Sequence, residues 1–148
     1  MSDKNPRVGA VREPPRATGG SASVGAVREP PHSLGRRGEE LAARHLAGVG
    51  YRILAHNYRC PAGEVDLVAL DGDCLVFVEV RTRRGDLWGT PEESVTPAKM
   101  ARLVRVAEHY LADLDAEDVD WRIDVVAVEV DRRGRVRRLD VVRDAVSL

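Results

Sequence analysis

The 148-residue chain carries 23 basic and 24 acidic side chains for a formal net charge of -1, with 43% hydrophobic and 32% charged residues. That is enough apolar material for one buried core, and the balanced charge excludes binding nucleic acid or a membrane surface through overall basicity, leaving only a local patch. No apolar run is long enough to span a bilayer, and Cys60 and Cys74 form no CxxC pair, so a cytoplasmic protein with reduced thiols is expected.

Residues 1–33 hold the segment VGAVREPP twice, at 8–15 and 24–31, around a Gly/Ser-containing spacer. Paired prolines and such a spacer cannot build a core, so a flexible extension is expected, with docking of a protein partner as its alternative role. Residues 34–148 are then the folded domain. Ser33 can cap a helix that runs to about Val49 and ends at Gly50. Its predicted apolar face holds Leu34, Leu41, Ala42, His45, Leu46 and Val49. Glu40 points away from that face, while Glu39 lies at its margin and can look into a cleft.

A strand is expected at 51–59, then two more at 64–70 and 74–81 joined by DGD, a hairpin signal. RTRRGDLWGTPEESV reads as loop, in which Trp88 is expected to anchor the segment, stacking on a base being its alternative role. Thr96 caps a second helix with Pro97 at its first position. Its periodic apolar residues are Met100, Leu103, Val104, Ala107, Tyr110, Leu111 and Leu114. WRIDVVAVEV at 121–130 and a segment at 136–142 complete the strands. The order α-β-β-β-α-β-β predicts an α/β fold, a mixed central sheet flanked by helices.

The hairpin carries acids inside apolar strands, at Glu64, Asp66 and Glu79, where burial is costly without compensation. With a two-residue turn, paired positions sum to 143 or to 145. Either sum puts Asp66 and Glu79 on one sheet face, diagonal or directly opposite, roughly 5–8 Å apart. Arg81 follows on the same face. Two carboxylates so placed suit a divalent ion with hard oxygen ligands, Mg²⁺ or Mn²⁺ in preference to Zn²⁺. Phosphodiester hydrolysis is the chemistry such an ion supports. The competing reading is a salt-bridged pair, Glu79 with Arg81 or Arg83, and no metal.

These residues resemble the PD-(D/E)xK nuclease superfamily, which includes archaeal Holliday-junction resolvases and many restriction enzymes. More closely, GRRGEELAARHL, GEVDLVALDGDCLVFVEVRTRR, SVTPAKMARL and RIDVVAV are similar to the YraN-like family of bacterial endonuclease-like proteins, over about residues 34 to 145. The resemblance implies a restriction-endonuclease-like core. It implies metal-binding roles for Glu39 on the helix, Asp66 on the first strand of the hairpin and Glu79 on the second. Gly63 and Glu64 match the family's GE(I/V)DL box. Two departures stand out: Val65 replaces the proline before the Asp, and Arg81 replaces the lysine.

An arginine stays protonated, so Arg81 can stabilise charge but cannot act as a base. Lys99 is the only lysine within 34–148, in a first helical turn that disfavours a cation; a displaced catalytic lysine accounts for that, a solvated one being the alternative. Arg83 and Arg84 are candidates for phosphate contacts, or are simply solvated. Arg122 and Asp124 read as a structural ion pair. The four histidines show no metal-ligand spacing, so no zinc is expected. The leading expectation is a Mg²⁺- or Mn²⁺-dependent nuclease acting on DNA, including branched DNA. The alternatives are a nucleic-acid-binding module that has lost catalysis and a protein-interaction module of the same fold.

Overall fold

Two side-chain caps set where the helices begin. In the computed structural model, which describes residues 33–85, 92–115 and 118–147, the Ser33 hydroxyl accepts the Arg36 N–H at 3.2 Å and starts α1, Leu34–Gly48. Gly50, at φ 101°, redirects the chain just after that helix, a conformation that a side chain would make costly. Thr96 Oγ1 accepts the Lys99 N–H at 3.2 Å and starts α2, Pro97–Asp113. The strands are β1 (Arg52–Cys60), β2 (Gly63–Asp71), β3 (Cys74–Arg84), β4 (Trp121–Val130) and β5 (Val136–Val142).

They form one sheet in chain order, antiparallel except for the parallel pair β3–β4. A parallel pair needs a long crossover, and α2 supplies it. The predicted α-β-β-β-α-β-β order and mixed α/β class are those observed. None of the described helices is long and apolar enough to cross a membrane.

One helix covers each face. Val76, Val78 and Val80 of β3 pack with Ala42 and Leu46 of α1, while Leu75 and Phe77 pack with Leu103, Val106, Ala107 and Tyr110 of α2. A central strand covered on both sides must be apolar at every position, which explains the unbroken LVFV run.

Three expectations are corrected. The buried stripe of α1 is Gly38, Ala42 and Leu46, one residue every turn, whereas His45 and Val49 are exposed. Val106 of α2 is buried but was not among the expected core residues. β3 continues through Thr82, Arg83 and Arg84, because its pairing with β4 extends to Arg84–Val130 and backbone pairing does not require apolar side chains. Trp88 and the N-terminal repeats lie outside the described residues.

Gly38 decides how closely α1 approaches the sheet. A Cβ built there would fall on the Thr82 Oγ1 and lie 2.9 Å from the Thr82 Cβ. Gly38→Ala is expected to destabilise the protein by about 1–2 kcal/mol, since so deep an overlap takes the upper part of the overpacking cost, about 2–3, against about 1 gained in helix propensity. Urea denaturation checks this, with Thr82→Ala in the same chain recovering part of the loss. A Gly38→Ala protein as stable as the wild type would contradict the close approach.

On the α1 side of β4 lies Asp124, the one fully buried charged side chain among the described residues. Its carboxylate accepts from Arg122 Nε at 3.0 Å and Nη2 at 3.2 Å, from the Tyr51 hydroxyl at 3.3 Å and from the Asp144 N–H at 3.0 Å. Arg122 Nη2 also donates to Asp71 at 2.7 Å. The predicted structural ion pair is thus the centre of a network tying Tyr51, just before β1, to β2, β4 and the C-terminal segment.

Candidate active site

The turn between β2 and β3 selects between the two registers left open by the sequence. Asp71 pairs with Cys74 around Gly72 and Asp73, with Gly72 at φ 58°, and the pairing runs to Leu67–Val78. The sum is 145, so one further step would place Asp66 directly opposite Glu79. The ladder stops before that step. Asp66 Oδ2 instead accepts the Val80 N–H at 2.7 Å. Val65 and Leu67 also pack into opposite cores, so strict alternation fails across Asp66. A carboxylate occupies the position of a strand partner, and the strands part around it.

That parting opens a cleft of ≈ 650 Å³ lined by Glu39 of α1, Asp66 of β2, Glu79 and Arg81 of β3 and Lys99 of α2. The sequence-predicted residues from four separate elements therefore line one space. Arg83 and Arg84 do not line it; they continue β3 past the cleft. Arg59, Cys60, Gly63, Glu64 and Arg102 also border it; of these the sequence assigns only the Gly63–Glu64 box to the site.

The others had readable signals. Arg59 and Glu64 face each other across the β1–β2 pair and form an ion pair at 3.0 Å. Arg102 follows Lys99 by three residues, which places both on one side of a helix. Gly63, at φ 142°, lets α2 come close, since a Cβ there would meet the Arg102 Cδ at 3.0 Å.

The acids are held out of water. Glu79 Oε1 pairs with Arg81 Nη2 at 3.0 Å, their side chains being 14% and 22% exposed. Burial, then the neighbouring Asp66 charge, pushes the Glu79 carboxyl up to about 7, against the lowering effect of Arg81 and Lys99. Burial also raises Asp66 above the ordinary carboxylate range, opposed by the Val80 N–H, Arg81 and a hydrogen bond with Glu39. Arg81 Nε is buried without a hydrogen-bond partner among the described residues.

The cost of ionised Glu79 gives a pH signature. Below about pH 4.5 the group is protonated in both states, and no difference arises. Between about 4.5 and 7 the unfolded chain releases its proton first, so stability falls as pH rises; above 7 the cost is constant. Glu79→Gln escapes it and, in EDTA, should gain on the order of 2–3 kcal/mol over the wild type on going from pH 4 to pH 8. Urea midpoints across that range check it, and parallel pH profiles for the two proteins would refute it.

Do these residues suit a metal? Oxygen donors that are half-buried, mutually repelling and, at Asp66 and Glu79, reluctant to ionise match the needs of a hard divalent cation. In their present rotamers no three acids, histidines or cysteines among the described residues form a ready cluster, the Glu79 carboxylate being turned to Arg81. The donor chemistry fits; the ligand sphere is not closed.

Residues 38–128 match the model of a family described as Uncharacterised protein family UPF0102. The chain is 54% identical over 104 residues to a UPF0102 protein of Symbiobacterium thermophilum, covering 70% of this chain and 88% of that one. It is 50% identical over 111 residues to a UPF0102 protein of Moorella thermoacetica, covering 75% and 92%. A third relative, from Nocardioides, is 52% identical over 101 residues, covering 68% and 82%.

Proposed function

The chain belongs to the UPF0102 (YraN-like) family, with its endonuclease-type fold, and on that premise we propose that it is a metal-dependent nuclease that hydrolyses phosphodiester bonds in DNA, branched repair or recombination intermediates included. The observation that carries this reading is the convergence of Glu39, Asp66 and Glu79 with Arg81 and Lys99 on one cleft. Glu39, Asp66 and Glu79 would hold Mg²⁺ or Mn²⁺. When bound, the ion offsets charge on the phosphate and acidifies the attacking water.

The chain's own residues supply the rest. Arg81 lines the cleft with Nη2 on Glu79, so its guanidinium charge faces a phosphate held there. Being always protonated, it stabilises charge and moves no proton. Lys99 is close enough to Glu79 to lower its pKa as a cation, and from α2 it can contact the phosphate and stabilise charge that builds on it. Asp66, fixed by the Val80 N–H, keeps its orientation without help from substrate.

The test is incubation of the full chain with single-stranded, duplex and four-way-junction DNA in Mg²⁺, in Mn²⁺ and in EDTA. Metal-dependent cleavage is expected, and no cleavage of any of the three would remove the reading. One observation favours a second reading, a binding module without catalysis: Glu79 faces Arg81 rather than its fellow acids. Calorimetry with Mn²⁺ separates the two, since the binding module takes up no ion at the cleft.

A further inference from the structure

The cleft cannot attract a polyanion by itself. It sets Arg59, Arg81, Lys99 and Arg102 against Glu39, Glu64, Asp66 and Glu79, and residues 34–148 hold 18 basic and 21 acidic side chains. Affinity for nucleic acid is dominated by phosphate contacts from Lys and Arg, so a basic surface must lie elsewhere.

The structure places one at the end of the sheet toward which β3 runs. The turn between β4 and β5 and the start of β5 read DRRGRVRR, residues 131–138. Asp131 Oδ1 accepts the N–H groups of Arg133 and Arg135 at 2.8 and 2.9 Å, so the single acid of the turn is spent on the backbone. Arg133, Arg135 and Arg137 are exposed, and none has a carboxylate partner among the described residues. Arg133 and Arg137 line a groove of ≈ 280 Å³ with Gly85, Arg132 and Asp131, three arginines against one acid, and the Arg137 guanidinium lies 3.3 Å from where a Gly85 Cβ would be. Arg138 differs, being committed to Glu129 and Asp140.

This groove connects to the cleft through β3. Val80 and Thr82 face α1, so period two puts Glu79, Arg81, Arg83 and Gly85 on the opposite face. Guanidinium groups therefore leave the cleft at Arg81, pass Arg83 and reach Arg137. From Glu79 to Gly85 the strand advances about 20 Å, which is the rise of about six base pairs at 3.4 Å each.

We propose that the β4–β5 turn and the start of β5, through Arg133, Arg135 and Arg137, are a phosphate-binding surface that holds the nucleic-acid backbone about six base pairs from the cleft. The proposal takes its substrate class from the nuclease reading, but its test reads binding alone. Fluorescence anisotropy with a labelled 20-base-pair duplex in EDTA, over a series of salt concentrations, compares the full chain with R133Q/R135Q/R137Q and with R133K/R135K/R137K. The glutamine variant is expected to bind at least about ten-fold more weakly at 0.1 M salt, with a salt slope lower by about two to three. The lysine variant is expected to stay near the wild type, which separates lost charge from lost fold.

Equal affinity and slope for wild type and glutamine variant would overturn the proposal, whether or not the protein cuts DNA. So would arginine-dependent binding to phosphatidylglycerol vesicles with none to the duplex. Arginine-dependent duplex binding by a chain that never cleaves would support the surface while removing the nuclease reading.

Discussion

Asp66→Asn is expected to reduce metal-dependent DNA cleavage by at least about 10²–10³-fold, the loss typical of removing one preorganised charge-stabilising group, while leaving the protein folded and as stable or more so. The substitution keeps the shape of the side chain and an oxygen that can accept the Val80 N–H, now made at 2.7 Å to Oδ2. What it removes is one of two buried charges that repel each other. The Glu79 carboxyl, which Asp66 helps to push up to about 7, should then ionise at lower pH, and the cost of keeping it charged at neutral pH should shrink. Activity and stability are thus predicted to move in opposite directions. Single-turnover cleavage and urea denaturation on the same preparation measure both. Cleavage equal to the wild type would show that the convergence of acids is structural.

Asp124→Ala should cost about 3–5 kcal/mol, as expected when one partner of a buried ion pair is deleted. The alanine would leave Arg122 Nε and the Asp144 N–H without their carboxylate acceptor, and the Tyr51 hydroxyl would lose a partner as well. Arg122 would keep Asp71 at 2.7 Å, which should hold the loss within this range. Replacing both members with apolar residues, as in R122M/D124L, should cost far less than the sum of the two single changes, because no uncompensated charge remains. Chemical denaturation of the single and double variants tests this, and additivity would contradict it. Cleavage by a folded Asp124 variant should persist, since Asp124 faces α1 and does not line the cleft.

The two predictions also show how differently the sequence reports its parts. Helix starts were legible because Ser33 and Thr96 cap through their own side chains, a local interaction written in adjacent residues. The hairpin register narrowed to two sums, and the turn selects the one with Asp71 opposite Cys74; parity put Asp66, Glu79 and Arg81 on one side, and the parting of the strands sets them around one cleft. The break in pairing at Asp66 was not legible, because alternation assumes a regular ladder and only a three-dimensional trace shows a side chain replacing a backbone partner. Gly38 was hidden for a related reason. A glycine within a helix looks like a weak helix former until the opposing Thr82 is known. The arginines of the β4–β5 turn were visible as a string but had no meaning until the fold set Gly85 beside Arg137.

The hydrogen bond from Val80 to Asp66 has a consequence for observation as well as for chemistry. An amide proton donated to an ionisable side chain takes its magnetic environment from that side chain's charge. In a ¹⁵N-labelled sample, the Val80 resonance becomes a local indicator of whether Asp66 carries a proton, a bare charge or a cation. The state of the cleft can then be followed in solution at a single backbone position, with no substrate and no assay of turnover.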